Sequence, residues 1–152
     1  MRMAHIIMAY KDPPQLERLV KRLSHPDFDF YIHVDSKFDM QPFKFLADIE
    51  RVYFIRNRIK VRWAGYSFTQ GVFNCIDEIL SSGKTYDFIS CISGQDYPLV
   101  STTAYHSFFE RQRGKNFLAI EAYGTEWWKR AAIRIHQYHM TDFDFRGRYQ
   151  LQ

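Results

Sequence analysis

The chain has few staples and few hinges: 152 residues include 2 cysteines, 7 glycines and 5 prolines. Two cysteines cannot build a disulfide framework, and Cys75 and Cys91 both fall inside apolar segments, so they read as buried reduced thiols. No second cysteine or histidine lies at metal-ligand spacing, so a metal site is not expected. Long hydrophobic runs are missing too. The apolar start, Met1 to Tyr10, is far too short to cross a bilayer and has no small-residue cleavage site, so it reads as a first strand. Gly-x-Gly-x-x-Gly and Gly-x-x-x-x-Gly-Lys-Ser/Thr are absent, which removes the dinucleotide turn and the P-loop. Gly-x-Ser-x-Gly is absent as well, and with it the usual hydrolase elbow. Lysines and arginines are scattered with no basic stripe between aromatics, so nucleic acid is not the expected partner.

What remains is an ordinary globular composition, 46% hydrophobic and 25% charged, long enough for one domain over residues 1–152 with a real core. Aromatic content of 18% suits either a ring-lined cleft or a large core, and the net charge of +4 suits an anionic partner such as a nucleoside diphosphate. With no spanning or targeting segment recognised, the expected location is cytoplasmic, with membrane-peripheral placement as the alternative.

Apolar patterning alternates along the chain. A strand at Ala4 to Ala9 leads to Pro13-Pro14 and a helical spacing of Leu16, Leu19, Val20 and Leu23. A strand from Phe30 to Val34, a short helical stretch with Phe43 and Leu46, and a strand from Val52 to Ile55 follow. A long helix is expected from Ser67 to Leu80, with Val72, Phe73, Ile76, Ile79 and Leu80 on one face and Ser82-Gly83 as its stop. The run Tyr86 to Ile92 reads as a buried strand, followed by a helix from Thr102 to Arg111 and a strand from Phe117 to Ile120. The region after Ala122 is charged, aromatic and partly helical. Strands alternating with helices predict an α/β fold, a mostly parallel sheet with helices on both faces.

In such a sheet, ligands bind beyond the carboxyl ends of the strands. Two strands deliver carboxylates there: Tyr31-Ile32-His33-Val34 runs into Asp35, and the Tyr86 strand runs into Ser93-Gly94-Gln95-Asp96-Tyr97-Pro98. Asp35 either caps the next turn or accepts a hydrogen bond from a base edge. Asp96, between a glycine and a Tyr-Pro corner, holds either its own loop or a ligand. Trp63 stands just before the long helix, where an indole either stacks on a base or sugar or fills the edge of the core. His5 and His33, inside strands, read as structural. Asp27-Phe28-Asp29 and Asp142-Phe143-Asp144 have a spacing used to hold a diphosphate-bound cation. The first pair precedes its strand and the second lies in the unpatterned tail, so neither is expected to bind a metal.

Taken together, Ala4-His5-Ile6-Ile7-Met8-Ala9-Tyr10-Lys11, Tyr31-Ile32-His33-Val34-Asp35, Val61-Arg62-Trp63-Ala64-Gly65-Tyr66-Ser67, Asn74-Cys75 and Ser93-Gly94-Gln95-Asp96-Tyr97-Pro98-Leu99 resemble the core-2/I-branching β-1,6-N-acetylglucosaminyltransferases, to whose family the peptide O-xylosyltransferases also belong. Order and spacing match from the first strand to Ile120. The resemblance implies a GT-A fold, a UDP-sugar donor (UDP-N-acetylglucosamine or UDP-xylose), a carbohydrate or glycan-precursor acceptor, inversion at the anomeric carbon and no metal or other cofactor. It implies that Asp35 meets the uracil, that Ile7, Met8 and Trp63 lie beside the nucleotide, that Gly94 and Asp96 form the donor loop, and that Glu121 and Lys129 bind acceptor sugar. In the family the catalytic glutamate and the cations that meet the leaving diphosphate come later than this sequence reaches. The expectation is therefore the nucleotide-binding half of a truncated enzyme, with its general base beyond residue 152, little activity alone and a tendency to self-associate. The rival expectation is a non-catalytic nucleotide-sugar-binding module, or a domain that binds carbohydrate or protein.

Overall fold

The structure, a computed structural model, describes residues 1–62, 64–117 and 119–136. The elements are β1 (Met3–Ala9), α1 (Pro13–Leu23), β2 (Phe28–Val34), a 3-10 helix (Gln41–Asp48), β3 (Val52–Phe54), α2 (Tyr66–Ser81), β4 (Phe88–Ser93), α3 (Thr102–Glu110) and α4 (Glu126–His136). The strands form a parallel sheet in the order β3-β2-β1-β4. The chain lays β2 and β3 to one side of β1, then crosses to place β4 on the other. The order of connection thus reverses between β1 and β4, and a crevice opens at their carboxyl ends.

β1 and β2 are buried along their whole length, as central strands covered on both faces must be. Alternation divides their side chains between two layers. Met3, Ile7, Phe28, Phe30, Ile32 and Val34 pack with Leu16, Leu19, Val20 and Leu23 of α1 and with Phe43 and Leu46 of the 3-10 helix. On the opposite face Ala4, Ile6, Met8 and Tyr31 meet Cys75 and Ile79 of α2. Each fully buried leucine or isoleucine contributes about 1.5–3 kcal/mol. α1 starts where Asp12, at φ 54°, accepts the Gln15 amide on its side chain, with prolines in the first turn where no amide is needed.

Three expectations are corrected. In α2 the inward residues are Gly71, Asn74, Cys75 and Ile79, whereas Phe73 and Leu80 are exposed. The helix presses its small residues onto the sheet, and a Cβ on Gly71 would stand 3.1 Å from Met8 Cε. That close approach rotates the contact stripe away from the bulkier side chains. β4 is half-buried rather than buried: Ile89 and Cys91 are exposed because α2 packs over β1 and β2 and leaves that face of β4 bare among the described residues. Cys91 is accordingly an exposed thiol, while Cys75 is buried as expected. The strand anticipated from Phe117 to Ile120 is not formed at residues 117, 119 or 120. Phe117 instead turns its ring toward Phe88, Phe108 and Phe109, with centroids 5.3–6.2 Å apart. No described helix is long and apolar enough to cross a membrane.

Candidate functional site

The crevice is a cleft of about 850 Å³. Its walls come from the ends of β1 (Met8, Ala9, Tyr10), β2 (His33, Asp35) and β4 (Ser93, Asp96), and from the start of α2 (Gly65, Phe68, Thr69). Alternation explains which strand residues reach it. Met8, His33, Asp35, Cys91 and Ser93 lie on the α2 face of the sheet, above the point where α2 stops covering it.

The segment 55–62, between β3 and α2, forms one wall and is pinned from several sides. Glu78 accepts the amides of Arg56 and Asn57 at 2.9 and 2.7 Å, and Asn74 donates to the Asn57 carbonyl at 3.3 Å. The Ile59 amide donates to His33 Nε2 at 3.1 Å, and the Val61 amide to Asp35 Oδ1 at 3.3 Å. Arg58 reaches the other way, donating to the carbonyls of Val34, Asp35 and Phe38 at 2.6, 3.2 and 2.8 Å. A wall fixed this way needs little ordering when a ligand arrives, which limits the entropic cost of binding.

Asp35 is almost fully buried, at 6% exposure. Its Oδ1 accepts the Lys37 amide at 2.9 Å besides that of Val61, and Oδ2 lies 3.3 Å from Lys37 Nζ. Oδ1 is thus committed to the loops, and Oδ2 keeps acceptor capacity on the cleft wall. Asp96 holds its own loop: Oδ2 accepts the Ser93 amide at 2.8 Å. Burial holds the His33 imidazole below its usual pKa, outweighing the opposing effect of Asp35, so the ring is neutral at pH 7. With Nε2 accepting from Ile59, Nδ1 carries the proton, and it has no partner among the described residues. The Cys91 thiol, also on the cleft wall, is pushed up by desolvation and by the Asp96 charge.

The anticipated site residues divide. Met8, Asp35 and Asp96 come together in the cleft. Ile7 does not: it points to the opposite face, fully buried in the α1 layer. Strand alternation forbids Ile7 and Met8 from sharing a ligand through their side chains. Gly94 is the close-approach point behind the loop rather than part of its surface. Its amide donates to the Met8 carbonyl at 2.9 Å, and a Cβ there would meet that of Ala9 at 3.3 Å. Glu121 and Lys129 are exposed and do not line the cleft; Lys129 pairs with Glu126 on α4 at 2.7 Å. Trp63, Asp142 and Asp144 lie outside the described residues. Asp29 is buried at the opposite rim among Arg2, Arg51, Lys84 and Tyr86, a structural ion cluster.

Sequence reasoning passed over several cleft residues. Tyr10 and Phe38 form an exposed aromatic pair at the mouth, 5.8 Å between ring centroids. Tyr10 directly follows β1 and Phe38 lies four residues past the end of β2, a usable signal. Phe68, also exposed, stands on the first turn of α2. The N-cap of that helix is Gly65, which has no side chain to accept from the first turn, and the positive end opens on the cleft. Arg58 carried no local pattern, because its role depends on three carbonyls brought together by the fold.

The arrangement suits a flat polar ring at the Asp35 wall and an anionic group near the start of α2. The family model described as "Branch: Core-2/I-Branching enzyme" matches residues 3–145. The chain is 29% identical over 116 residues to "Xylosyltransferase oxt" of Drosophila pseudoobscura pseudoobscura, a match covering 74% of this chain and 13% of that protein. It is 31% identical over 107 residues to "Xylosyltransferase" of Ciona intestinalis, covering 68% of this chain and 13% of that protein. With "Xylosyltransferase 2" of Rattus norvegicus identity is 30% over 108 residues, covering 68% and 12%. The chain thus matches about an eighth of the length of these relatives.

Proposed function

Because the chain belongs to the Core-2/I-branching enzyme family, we propose that it binds the UDP-sugar donor of a glycosyltransferase in the cleft between β1, β4 and α2. Asp35 carries the reading. It is a buried carboxylate at a strand's carboxyl end, with one oxygen tied to the walls and the other left to accept the imide N–H of uracil. Tyr10 and Phe38 offer ring faces to the base. The diphosphate lies toward the uncapped start of α2, with Lys37 and Arg62 also on the walls. The similarity to xylosyltransferases favours xylose over N-acetylglucosamine as the donated sugar.

The transfer is read as a single in-line displacement that inverts the anomeric carbon, with a carboxylate removing the acceptor proton and cations meeting the leaving diphosphate. Both carboxylates of the described cleft already accept protein amides, Asp35 from Lys37 and Val61 and Asp96 from Ser93. That supports donor binding rather than proton removal as the work of this segment, and we read the diphosphate as held without a metal, as the family resemblance implies.

Calorimetry with UDP, UDP-xylose and UDP-N-acetylglucosamine, with and without manganese, tests the reading. Binding of UDP that Asp35→Asn weakens and manganese leaves unchanged is the expected result. No UDP binding would sink the donor assignment, and a saturable gain with manganese would sink the metal-free part. UDP binding with neither hydrolysis nor transfer would favour a non-catalytic nucleotide-sugar-binding module.

A further inference from the structure

The fold gathers a second group of donor side chains at the opposite rim of the sheet, far from the cleft. His25 lies in the turn between α1 and β2, Asp27 directly precedes β2, and His106 lies on α3. Asp27 and Asp35 bracket β2, eight residues apart, which separates this rim from the cleft by about 26 Å of extended chain. His106 Nε2 and Asp27 Oδ2 are 2.8 Å apart, and His25 Nδ1 lies 3.7 Å from the same oxygen. The two imidazoles stack with centroids 4.2 Å apart at 22°, and Phe28 packs against both rings. One ligand atom from each of the three residues falls within 4.8 Å of the others, and among the described residues no other such group occurs.

We propose that His25, Asp27 and His106 bind a zinc ion, with water completing the coordination, and that the ion staples α3 to the turn between α1 and β2. Two imidazoles and a carboxylate form a borderline donor set that zinc takes with three protein ligands and an open position. A tetrahedral ion with bonds of about 2.1 Å needs donor atoms about 3.4 Å apart, so the His106–Asp27 pair must open by about 0.6 Å and the wider separations close by less than about 1.5 Å, within reach of side-chain rotation. On binding, zinc takes the place of the hydrogen between His106 Nε2 and Asp27 Oδ2, and the neutral imidazole then carries its proton on Nδ1. His25 Nδ1 accepts the Asp27 amide at 3.1 Å, so it carries a lone pair, which the ion would take in place of that amide. The staple would reinforce a junction where Thr102 of α3 already donates to the Arg22 carbonyl of α1 and Tyr105 packs edge-on against Phe28. The ligands are too far apart in sequence for any spacing motif to show them.

The test uses the chain without a polyhistidine tag, stripped with chelator and titrated with zinc against a chromophoric competitor. One equivalent is expected to bind and to raise the thermal midpoint, and cobalt(II) in its place should give visible bands of low coordination number. His106→Gln and His25→Gln should each weaken zinc by at least about tenfold and remove the thermal gain. Far-UV dichroism without metal shows whether each variant has folded. Asp27→Asn, which keeps a hydrogen-bond acceptor for His106, provides a milder ligand change that should also weaken zinc. Failure to bind an equivalent, or equal zinc affinity in folded variants, overturns the proposal.

Discussion

The Val61 amide and Asp35 Oδ1 are joined at 3.3 Å, so the carboxylate that ends β2 also holds the wall leading to α2. The Lys37 amide shares the same oxygen at 2.9 Å. The two oxygens therefore have separable duties. Asp35→Asn keeps an oxygen for the two amides and replaces the other by an NH₂ group, which repels the imide N–H of uracil. Unfolding stability should stay within about 1 kcal/mol of the parent, while UDP affinity falls about 10- to 100-fold, the value of a hydrogen bond to a charged group. Asp35→Ala should lose both, with about 1–3 kcal/mol of stability going with the stranded amides. Denaturant melts and calorimetry on the pair check this; undiminished UDP affinity in Asp35→Asn would remove Asp35 from the ligand.

A second prediction concerns acid. Burial lowers the His5 pKa from 6.5 to about 4, because the ring is enclosed by Phe28 and Phe30 and its Nε2 has no partner among the described residues. The unfolded chain protonates this histidine near pH 6.5 and the folded chain only near pH 4, so in that window the unfolded state binds more protons. Stability is full above pH 6.5 and falls as pH drops to 4, by about 3 kcal/mol from His5, with His33 acting in the same direction. His5 Nδ1 lies 2.7 Å from Ser90 Oγ, so His5→Phe gives up that bond and should flatten the profile while lowering the plateau. Urea melts between pH 4 and pH 7 read it directly, and a flat parent profile would refute it.

The layers were legible because β1 and β2 are central strands whose every side chain is buried, leaving apolar runs broken only by His5, Asp29 and His33. The Asp35 rim followed from strand order alone. What misled was geometry between elements. Cys91 and Ile89 look buried in a list of residues, yet α2 sits over β1 and β2, and among the described residues one face of β4 is bare. Phe73 and Leu80 fit a helical stripe, yet Gly71 sets which stripe touches the sheet. Ile7 and Met8 are neighbours in sequence, yet a strand sends their side chains to opposite faces. Arg58 and the His25–Asp27–His106 group are assembled by folding from unconnected segments, and local pattern carries no trace of them.

The rim away from the cleft supplies a stability prediction. Asp29 is buried and receives Tyr86, Lys84, Arg2 and Arg51. Burial raises its pKa, but the Tyr86 and Lys84 hydrogen bonds and the Lys84 and Arg2 charges outweigh that and hold it below the carboxylate norm. Asp29→Ala strands these partners. Because the cations are about one-third exposed and can turn to water, the cost should be about 2–3 kcal/mol, short of a fully buried pair. UDP affinity should be unchanged, since the cluster lies at the amino ends of the strands. A parent-like melt would mean the cluster is dispensable, and a loss of UDP affinity in folded protein would mean the two rims are coupled.

The two thiols should report on the cleft. Cys75 is sealed under α2, and burial pushes its pKa up to about 12, so it should resist a disulfide reagent at pH 8 until the chain unfolds. Cys91 is exposed on the cleft wall, with a pKa raised by desolvation and by the nearby Asp96, so it should react in the native protein, but more slowly than a free thiol in solution. A ligand seated between β1, β4 and α2 would cover it. UDP should therefore slow Cys91 modification in proportion to occupancy, Asp35→Asn should shift that protection to higher UDP concentration, and Cys91→Ser should abolish the native reaction. If UDP binds by calorimetry yet leaves the Cys91 rate unchanged, the nucleotide sits elsewhere, because no pose that fills this crevice leaves that sulfur open.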